Sequence, residues 1–138
     1  MMRKIIAVLL CAAMCFSLFA VTISASEVSS RYISSASKNS VLRISGTKAE
    51  CTSNYSEMVT LKSINVVQTL EKHAYFWTWD TVGGPWTKTA YNTTALSLTN
   101  SKTGLTSGTY RVKSVFTVIT ADGQTETVTV YSSEKTIG

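Results

Sequence analysis

The sequence is poor in the residue types that build catalytic centres, metal sites and disulfide frameworks. Its 138 residues include one proline, one histidine and three cysteines, and charged residues make up 15%. The low proline content excludes a collagen-like chain, and one histidine leaves no imidazole pair to bind a metal. The eight acidic residues are scattered, which favours neither a calcium-binding loop nor the paired carboxylates of glycoside hydrolysis. We therefore expect no cofactor, no metal and no enzymatic activity.

The chain begins with the pattern of a helical secretory signal peptide. Two basic residues precede an apolar run over 5–21, and small residues follow it. Small residues at this place fit cleavage after Ala25 or Ser26, and retention as an N-terminal anchor stays open as the alternative. We predict a signal peptide over 1–25 and a secreted, extracellular protein that has no membrane contact after cleavage.

A single cysteine, Cys51, remains beyond the predicted signal peptide, so the mature chain has no internal disulfide. Burial is the usual fate of a lone thiol, and we expect a monomer, with a Cys51-linked dimer as the open alternative. Residues 26–138 carry 11 basic and 8 acidic side chains, interspersed along the chain. This weak positive charge does not indicate nucleic-acid binding, and a solvated surface is a simpler interpretation than attraction to an anionic cell surface.

The remaining sequence consists of short runs rich in β-branched and aromatic residues. Residues 26–40 are serine-rich and are predicted to form a flexible arm, whereas 41–138 form one domain. No run after the signal peptide has a helical period. Turn signals recur about every 8–12 residues, which is typical of a β-sandwich. The predicted fold is all-β, a single antiparallel Ig-like β-sandwich of seven to eight strands.

Alternation of apolar and polar residues places the strands, and small or polar residues place the turns. The period of two over 61–72 and 110–120 predicts strands. Asp122-Gly123 predicts a tight hairpin turn, the polar segment 54–57 another turn, and Gly83-Gly84-Pro85 the strongest break in the chain.

Aromatic residues concentrate around one of the predicted hairpins. A strand there places Tyr75, Trp77 and Trp79 on one face, and Trp86 follows on the returning strand. Such a row makes a flat platform on which sugar rings stack, so these four residues are the candidate ligand-binding residues. The same rings also fit a sandwich core or a cross-strand aromatic ladder, which is the simpler interpretation.

A structural motif lies in the segment LTSGTYRV at 105–112. It resembles the tyrosine corner of Ig-like and fibronectin-like domains, with Leu105, Gly108 and Tyr110 at the matching positions. The resemblance implies that the Tyr110 hydroxyl binds the upstream backbone and that Gly108 relieves crowding. It implies nothing about a ligand.

Most of the chain also resembles a family of small secreted proteins of Gram-positive bacteria whose function is unknown. The matching segments are SSRYISS (29–35), ISGTKAECTS (44–53), VVQTLEK (66–72), the tryptophan hairpin (77–86), SGTYRVKS (107–114) and TETVTVYSS (125–133). The resemblance implies a secreted single domain and no assigned activity. We expect a non-enzymatic extracellular binding or adhesion module whose partner is an extracellular protein or a glycan. The alternatives are a carbohydrate-binding module and a small secreted toxin or bacteriocin-like effector.

Overall fold

The computed structural model describes residues 36–138, so the predicted signal peptide and most of the predicted arm lie outside the described residues. This part of the chain forms six strands, all paired antiparallel. They are β1 Ser37–Ser45, β2 Lys48–His73, β3 Trp79–Lys102, β4 Gly108–Ile119, β5 Thr125–Tyr131 and β6 Lys135–Ile137. β1 takes in residues 37–40, the last four of the predicted arm. Within 36–138, no helix has the length and apolar character to cross a membrane.

All six strands belong to one sheet, and β2 is at its centre. The first half of β2 pairs with β1, the second half pairs with β4, and β3 pairs with β2 along most of its length. β4 also pairs with β5 and β6. The register of β2 and β3 is interrupted between Ser56 and Leu61, where the sheet curls back over itself.

The described residues form six strands rather than the predicted seven to eight because two predicted turns lie inside continuous strands. In segment 54–57 of β2, the Asn54 amide donates to Asn39 (2.9 Å) and accepts from Ser97 (2.6 Å), so polar side chains bridge neighbouring strands instead of closing a turn. In β3, a Cβ on Gly84 would lie 2.7 Å from the Gln68 carbonyl oxygen, and the φ of Gly84 is +81°. Glycine therefore lets this part of β3 pass close to β2.

Two apolar clusters fill the space inside the curled sheet. The corner cluster consists of Leu42, Ala49, Cys51, Leu70, Leu105, Tyr110 and Val112. The bend cluster consists of Tyr55, Leu61, Ile64, Val66, Leu96, Phe116 and Val118. Inward-facing residues of β1, β2 and β4 contribute to the corner cluster and those of β2, β3 and β4 to the bend cluster, because their side chains alternate between the core and the surface.

A buried polar layer separates the two clusters, and it consists of Ser40, Ser53, Gln68 and Ser114. Its hydrogen bonds run in one direction: Gln68 donates to Ser53 (2.8 Å), Ser53 to Ser114 (2.6 Å), Ser114 to Ser40 (2.9 Å), and Ser40 to the Val112 carbonyl (3.3 Å). The Asn100 side-chain amide donates to Oε1 of the Gln68 side chain (3.0 Å). Every buried side-chain polar atom in 36–138 has a partner, so the layer is compatible with a closed core.

Candidate functional site

The most exposed aromatic residues lie in the turn between β2 and β3. Residues 74–78 form this turn rather than the predicted strand. We call Tyr75, Phe76 and Trp77 the aromatic turn; their side chains are 80%, 81% and 85% exposed. The Phe76 and Trp77 rings are 5.6 Å apart and tilted by 47°. The three side chains project into solvent from the end of the β2–β3 hairpin, and the strand geometry that would align them in a flat row is absent from this segment.

Hydrogen bonds within the hairpin fix the shape of the aromatic turn. The Ala74 amide donates to the Thr78 carbonyl, and the Thr78 amide donates to the Tyr75 carbonyl, both at 2.9 Å. The Thr78 hydroxyl accepts from the Tyr75 amide (3.0 Å) and donates to the Tyr75 carbonyl (2.7 Å). The His73 ring contacts the Phe76 carbonyl oxygen. Phe76 has a positive φ of 55°, which is uncommon for an aromatic residue and marks a tightly specified turn.

Trp79 lies at the base of the aromatic turn and is half-buried. Its ring stacks on the Arg111 guanidinium at 4.0 Å and meets the His73 ring edge-on at 5.2 Å. Arg111 also stacks on Tyr131 (4.1 Å) and forms an ion pair with Glu71 (2.9 Å). Guanidinium groups bind aromatic faces and carboxylates at the same time because they are planar and carry several donors. Trp79 therefore supports the turn from β3.

Trp86 is also half-buried, and it packs against the corner cluster. A Cβ on the neighbouring Gly83 would lie 3.0 Å from the Trp86 ring and 3.2 Å from Leu70, so glycine leaves room for the indole. Of the four candidate ligand-binding residues, Tyr75 and Trp77 are the ones left open to solvent. The structure does not bring the four rings together in one platform.

The three residues of the corner motif lie together at the start of β4. The Tyr110 hydroxyl donates to the Thr106 carbonyl at 2.6 Å, and Leu105 is buried in the corner cluster. Gly108 has a φ of +150°, and a Cβ there would lie 2.5 Å from the Lys72 side chain. These contacts join β4 to the end of β2 and so hold the base of the aromatic turn.

Two buried groups of the core, the Cys51 thiol and the Tyr55 hydroxyl, have raised pKa values. Burial, with a smaller contribution from Glu50, raises the pKa of the Cys51 thiol to about 12. Burial also raises the pKa of the Tyr55 hydroxyl, with Glu57 nearby adding to the effect. A thiol with so high a pKa is a poor nucleophile. Across residues 36–138, no group of three histidine, cysteine or acidic side chains is arranged to hold a metal ion.

The sequence interpretation did not single out Phe76 or Arg111. Strand alternation over 75–79 would put Phe76 on the face opposite Trp77, whereas the turn exposes it beside Trp77. Arg111 stands on the outward face of β4, where a charge is normally solvated, and its two aromatic neighbours come from distant parts of the chain. The order His-Ala-Tyr-Phe-Trp-Thr-Trp shows aromatic density but contains no glycine or proline that marks the turn.

No protein-family model matches the chain, and no curated protein matches it in sequence. Solved structures show distant similarity to β-rich domains. OgpA from Akkermansia muciniphila matches over 75% of this chain and 30% of its own length, with 14% identity and a TM-score of 0.36. The sporulation control protein Spo0M from Bacillus subtilis matches over 71% of this chain and 49% of its own, with 11% identity and a TM-score of 0.31.

The CARDB domain of the PF1109 protein from Pyrococcus furiosus, solved with two metal ions, is a third similar structure. It matches over 71% of this chain and 84% of its own length, with 16% identity and a TM-score of 0.34. The chain spans under a third of OgpA and about half of Spo0M. Similarity at this level assigns no family and carries no argument about function.

Proposed function

We propose that the chain is a non-enzymatic extracellular binding module and that the aromatic turn is its contact surface. The observation that carries this proposal is the exposure of three consecutive aromatic side chains on a turn of fixed shape. Exposed clusters of large apolar side chains mark interaction sites, because water makes them costly to leave uncovered. Aromatic residues also provide large contact areas at a low entropy cost, since they have only two rotatable side-chain bonds.

Side-chain contacts at its base also support the aromatic turn. Arg111 stacks on Trp79 and is itself held by Glu71 and Tyr131. At the end of β2, Lys72 contacts Thr106 and the Tyr110 ring of the corner. Binding to a mobile loop costs entropy when the loop becomes ordered, and a preformed turn reduces that cost. The contacts around the aromatic turn are those of a surface that is preorganised for binding.

The test compares two variants that remove exposed apolar side chains from the two ends of the domain. Tyr75→Ser/Phe76→Ser/Trp77→Ser removes the aromatic turn. Met58→Ser/Tyr91→Ser removes two other exposed side chains, which are 99% and 72% exposed. Both variants are expected to keep the fold, because the substituted side chains are exposed.

Fluorescently labelled protein spanning 26–138 is measured for binding to intact Gram-positive cells, purified cell walls, polysaccharides and lipid vesicles. We expect wild-type binding to at least one of these surfaces, a loss of about tenfold or more in the aromatic-turn variant, and retention in the control. Equal binding by all three proteins, or binding by none, would contradict the proposal.

Carbohydrate binding is the second candidate, and the exposure of Tyr75 and Trp77 favours it. Sugar rings stack on open aromatic faces, and either side chain offers one. In a variant with Trp79→Phe and Trp86→Phe, Trp77 becomes the only tryptophan of the mature chain. A shift of its emission on titration with a single polysaccharide would support this candidate, and an unchanged spectrum across the polysaccharides would contradict it.

The Ig-like assignment and secretion belong to the same proposal. We infer that the curled sheet is an Ig-like sandwich in which β2 and β3 each serve two layers. The bond from Tyr110 to Thr106 and the buried bond between Ser53 and Ser114 support it, since the first is corner-like and the second joins the two layers. Secretion rests on the signal pattern at 1–25. N-terminal sequencing of protein from the culture medium tests it, and a first residue of Ser26 or Glu27 is expected.

A further inference from the structure

We propose that the aromatic turn inserts into the interface of a lipid bilayer that contains anionic lipids. This proposal rests on the proposed function, because it names the surface that the same turn binds. It replaces the expectation from the sequence that the mature chain has no membrane contact. Three features of the described residues support it: the shape of the turn, its hydrogen bonding and the distribution of charge.

The exposed position of the aromatic turn at a hairpin end fits a fluid surface better than a rigid sugar chain. Tyr75, Phe76 and Trp77 project from a hairpin end, and the neighbouring Phe76 and Trp77 rings are tilted by 47° rather than coplanar. A lipid interface adapts to such a tip, whereas a sugar ring can stack on only one of two rings tilted in this way. Tyrosine and tryptophan also favour the membrane–water boundary, since their rings are apolar and carry one polar group.

The turn already pairs part of its backbone, which lowers the cost of entering an apolar medium. Backbone groups that leave water without a partner cost several kcal/mol each. Here the amides of Ala74, Tyr75 and Thr78 donate to partners within the turn, and the carbonyls of Tyr75, Phe76 and Thr78 accept from groups within the same hairpin. Insertion of the tip therefore leaves these bonds intact.

The net positive charge of residues 36–138 lies on the side of the polar layer that carries the aromatic turn. We call this side the corner half and the other side the bend half; strand register divides the charged residues between them. The corner half contains seven basic residues, Arg43, Lys48, Lys72, Lys102, Arg111, Lys113 and Lys135, and four acidic residues, Glu50, Glu71, Asp80 and Glu134. The bend half contains three basic residues, Lys38, Lys62 and Lys88, and three acidic residues, Glu57, Asp122 and Glu126.

The two halves therefore differ in charge as well as in exposed aromatic surface. A basic surface beside an apolar tip matches an anionic membrane, where lysine and arginine bind headgroups while aromatic side chains enter the boundary. A neutral partner would gain nothing from this charge. The arrangement thus favours a lipid surface of negative charge over a neutral glycan.

The experiment uses protein spanning 26–138, which contains both core clusters and all six described strands. The predicted signal peptide is left out because its apolar run would itself bind lipid. Cosedimentation is measured with vesicles of phosphatidylcholine alone and with vesicles that also contain phosphatidylglycerol, for wild type, Tyr75→Ser/Phe76→Ser/Trp77→Ser and Met58→Ser/Tyr91→Ser. Circular dichroism shows that each protein is folded. Trp77 emission is read in the Trp79→Phe/Trp86→Phe variant.

We expect binding to the phosphatidylglycerol vesicles, a blue shift of Trp77 emission, and a loss of about tenfold or more in partitioning for the aromatic-turn variant but not for the control. If the aromatic-turn variant still binds the vesicles, the proposal is overturned, because binding would then depend on charge alone. Turn-dependent binding to cell walls or polysaccharides without vesicle binding would overturn the membrane proposal and leave the proposed function standing. Absence of turn-dependent binding to any of these surfaces would overturn both.

Discussion

The corner half carries most of the exposed aromatic side chains of residues 36–138, although β2, β3 and β4 run through both halves. In the bend half, Tyr55 and Phe116 are buried, with ring centres 5.4 Å apart. In the corner half, the aromatic turn is open to solvent, and Trp79 and Tyr131 lie on either side of Arg111 on the surface. Aromatic residues thus pack in the core of both halves, with Tyr110 in the corner cluster and Trp86 against it, but the aromatic turn is an exposed cluster found in the corner half.

The comparison shows that exposure, rather than aromatic content, distinguishes the candidate site from the core. A buried ring contributes to stability because it is removed from water. An exposed ring contributes little to stability, so its retention on a shaped turn points to contact with another molecule. Stability and binding measurements on matched substitutions in the two halves therefore give opposite results if the comparison is correct.

The largest expected effect on stability is at the centre of the bend half. Phe116→Ala removes a fully buried ring and is expected to lower the free energy of unfolding by about 3–5 kcal/mol. The matched change in the corner half, Trp77→Ala, is expected to alter it by less than about 0.5 kcal/mol. Urea unfolding measures both. Similar losses at the two positions would show that the aromatic turn is part of the core.

The next largest loss of stability is expected when the polar layer between the halves is disrupted. Gln68→Leu removes the acceptor of Asn100 and a donor to Ser53, and is expected to cost about 1–3 kcal/mol because buried polar groups lose their partners. Asn65→Ala on the same strand removes a bond to Thr89 on the exposed face and serves as the control. An unchanged unfolding midpoint for Gln68→Leu would show that the layer adds nothing to stability.

A smaller effect is expected at Arg111, which connects β4 to Trp79 at the base of the aromatic turn. Arg111→Gln removes both ring stacks and the ion pair with Glu71, and is expected to cost about 1 kcal/mol. In a Trp77→Phe/Trp86→Phe background, it is also expected to shift Trp79 emission to the red as the ring becomes more exposed. Arg111→Lys keeps the charge but not the planar group, so it is expected to restore the emission only in part. Full restoration by lysine would assign the effect to charge.

The last expected effect appears only in alkaline solution, where stability depends on pH. The unfolded chain releases the Cys51 proton near the usual thiol pKa of 9.0, whereas the folded chain holds it until about 12. Its contribution is therefore complete below pH 9 and falls as the pH rises from 9 towards 12. Urea unfolding of wild type and Cys51→Ala across this range measures it. The slope is expected to be shallower in Cys51→Ala, with a remainder from Tyr55, whose pKa is also raised. Equal slopes would contradict this assignment.

Local alternation predicted several elements well. The run at 110–120 corresponds to β4, and Asp122-Gly123 lies in the turn before β5. These predictions succeed because a sheet with one face in the core requires a period of two, and because a tight hairpin requires residues that tolerate a positive φ. Gly123 has such a value, 87°. The all-β class followed from these same signals.

The continuity of the long strands and the position of the aromatic turn depend on contacts between distant residues. Asn54 has the composition of a turn, but Asn39 and Ser97 give it partners within the sheet. Gly84 is inside β3 because the Gln68 carbonyl lies so close to it. The spacing of Tyr75, Trp77 and Trp79 suits a strand until the hydrogen bonds of Thr78 close a turn there. Local sequence does not reveal these contacts between distant residues. The flat row of rings expected from strand spacing is therefore replaced by a turn at 74–78.

The length of β2 and β3 has a consequence for how the chain folds. Together they form one hairpin around residues 74–78, with pairs that run from His73 and Trp79 to Ala49 and Lys102, 53 residues apart. The entropy cost of closing a loop rises with its length, so the pairs beside the aromatic turn are the cheapest to form and the hairpin is expected to grow outward from them. Such non-local pairing is typical of domains that fold in milliseconds to seconds. The end of the molecule that we propose to bind a membrane is thus also the place where folding is expected to begin.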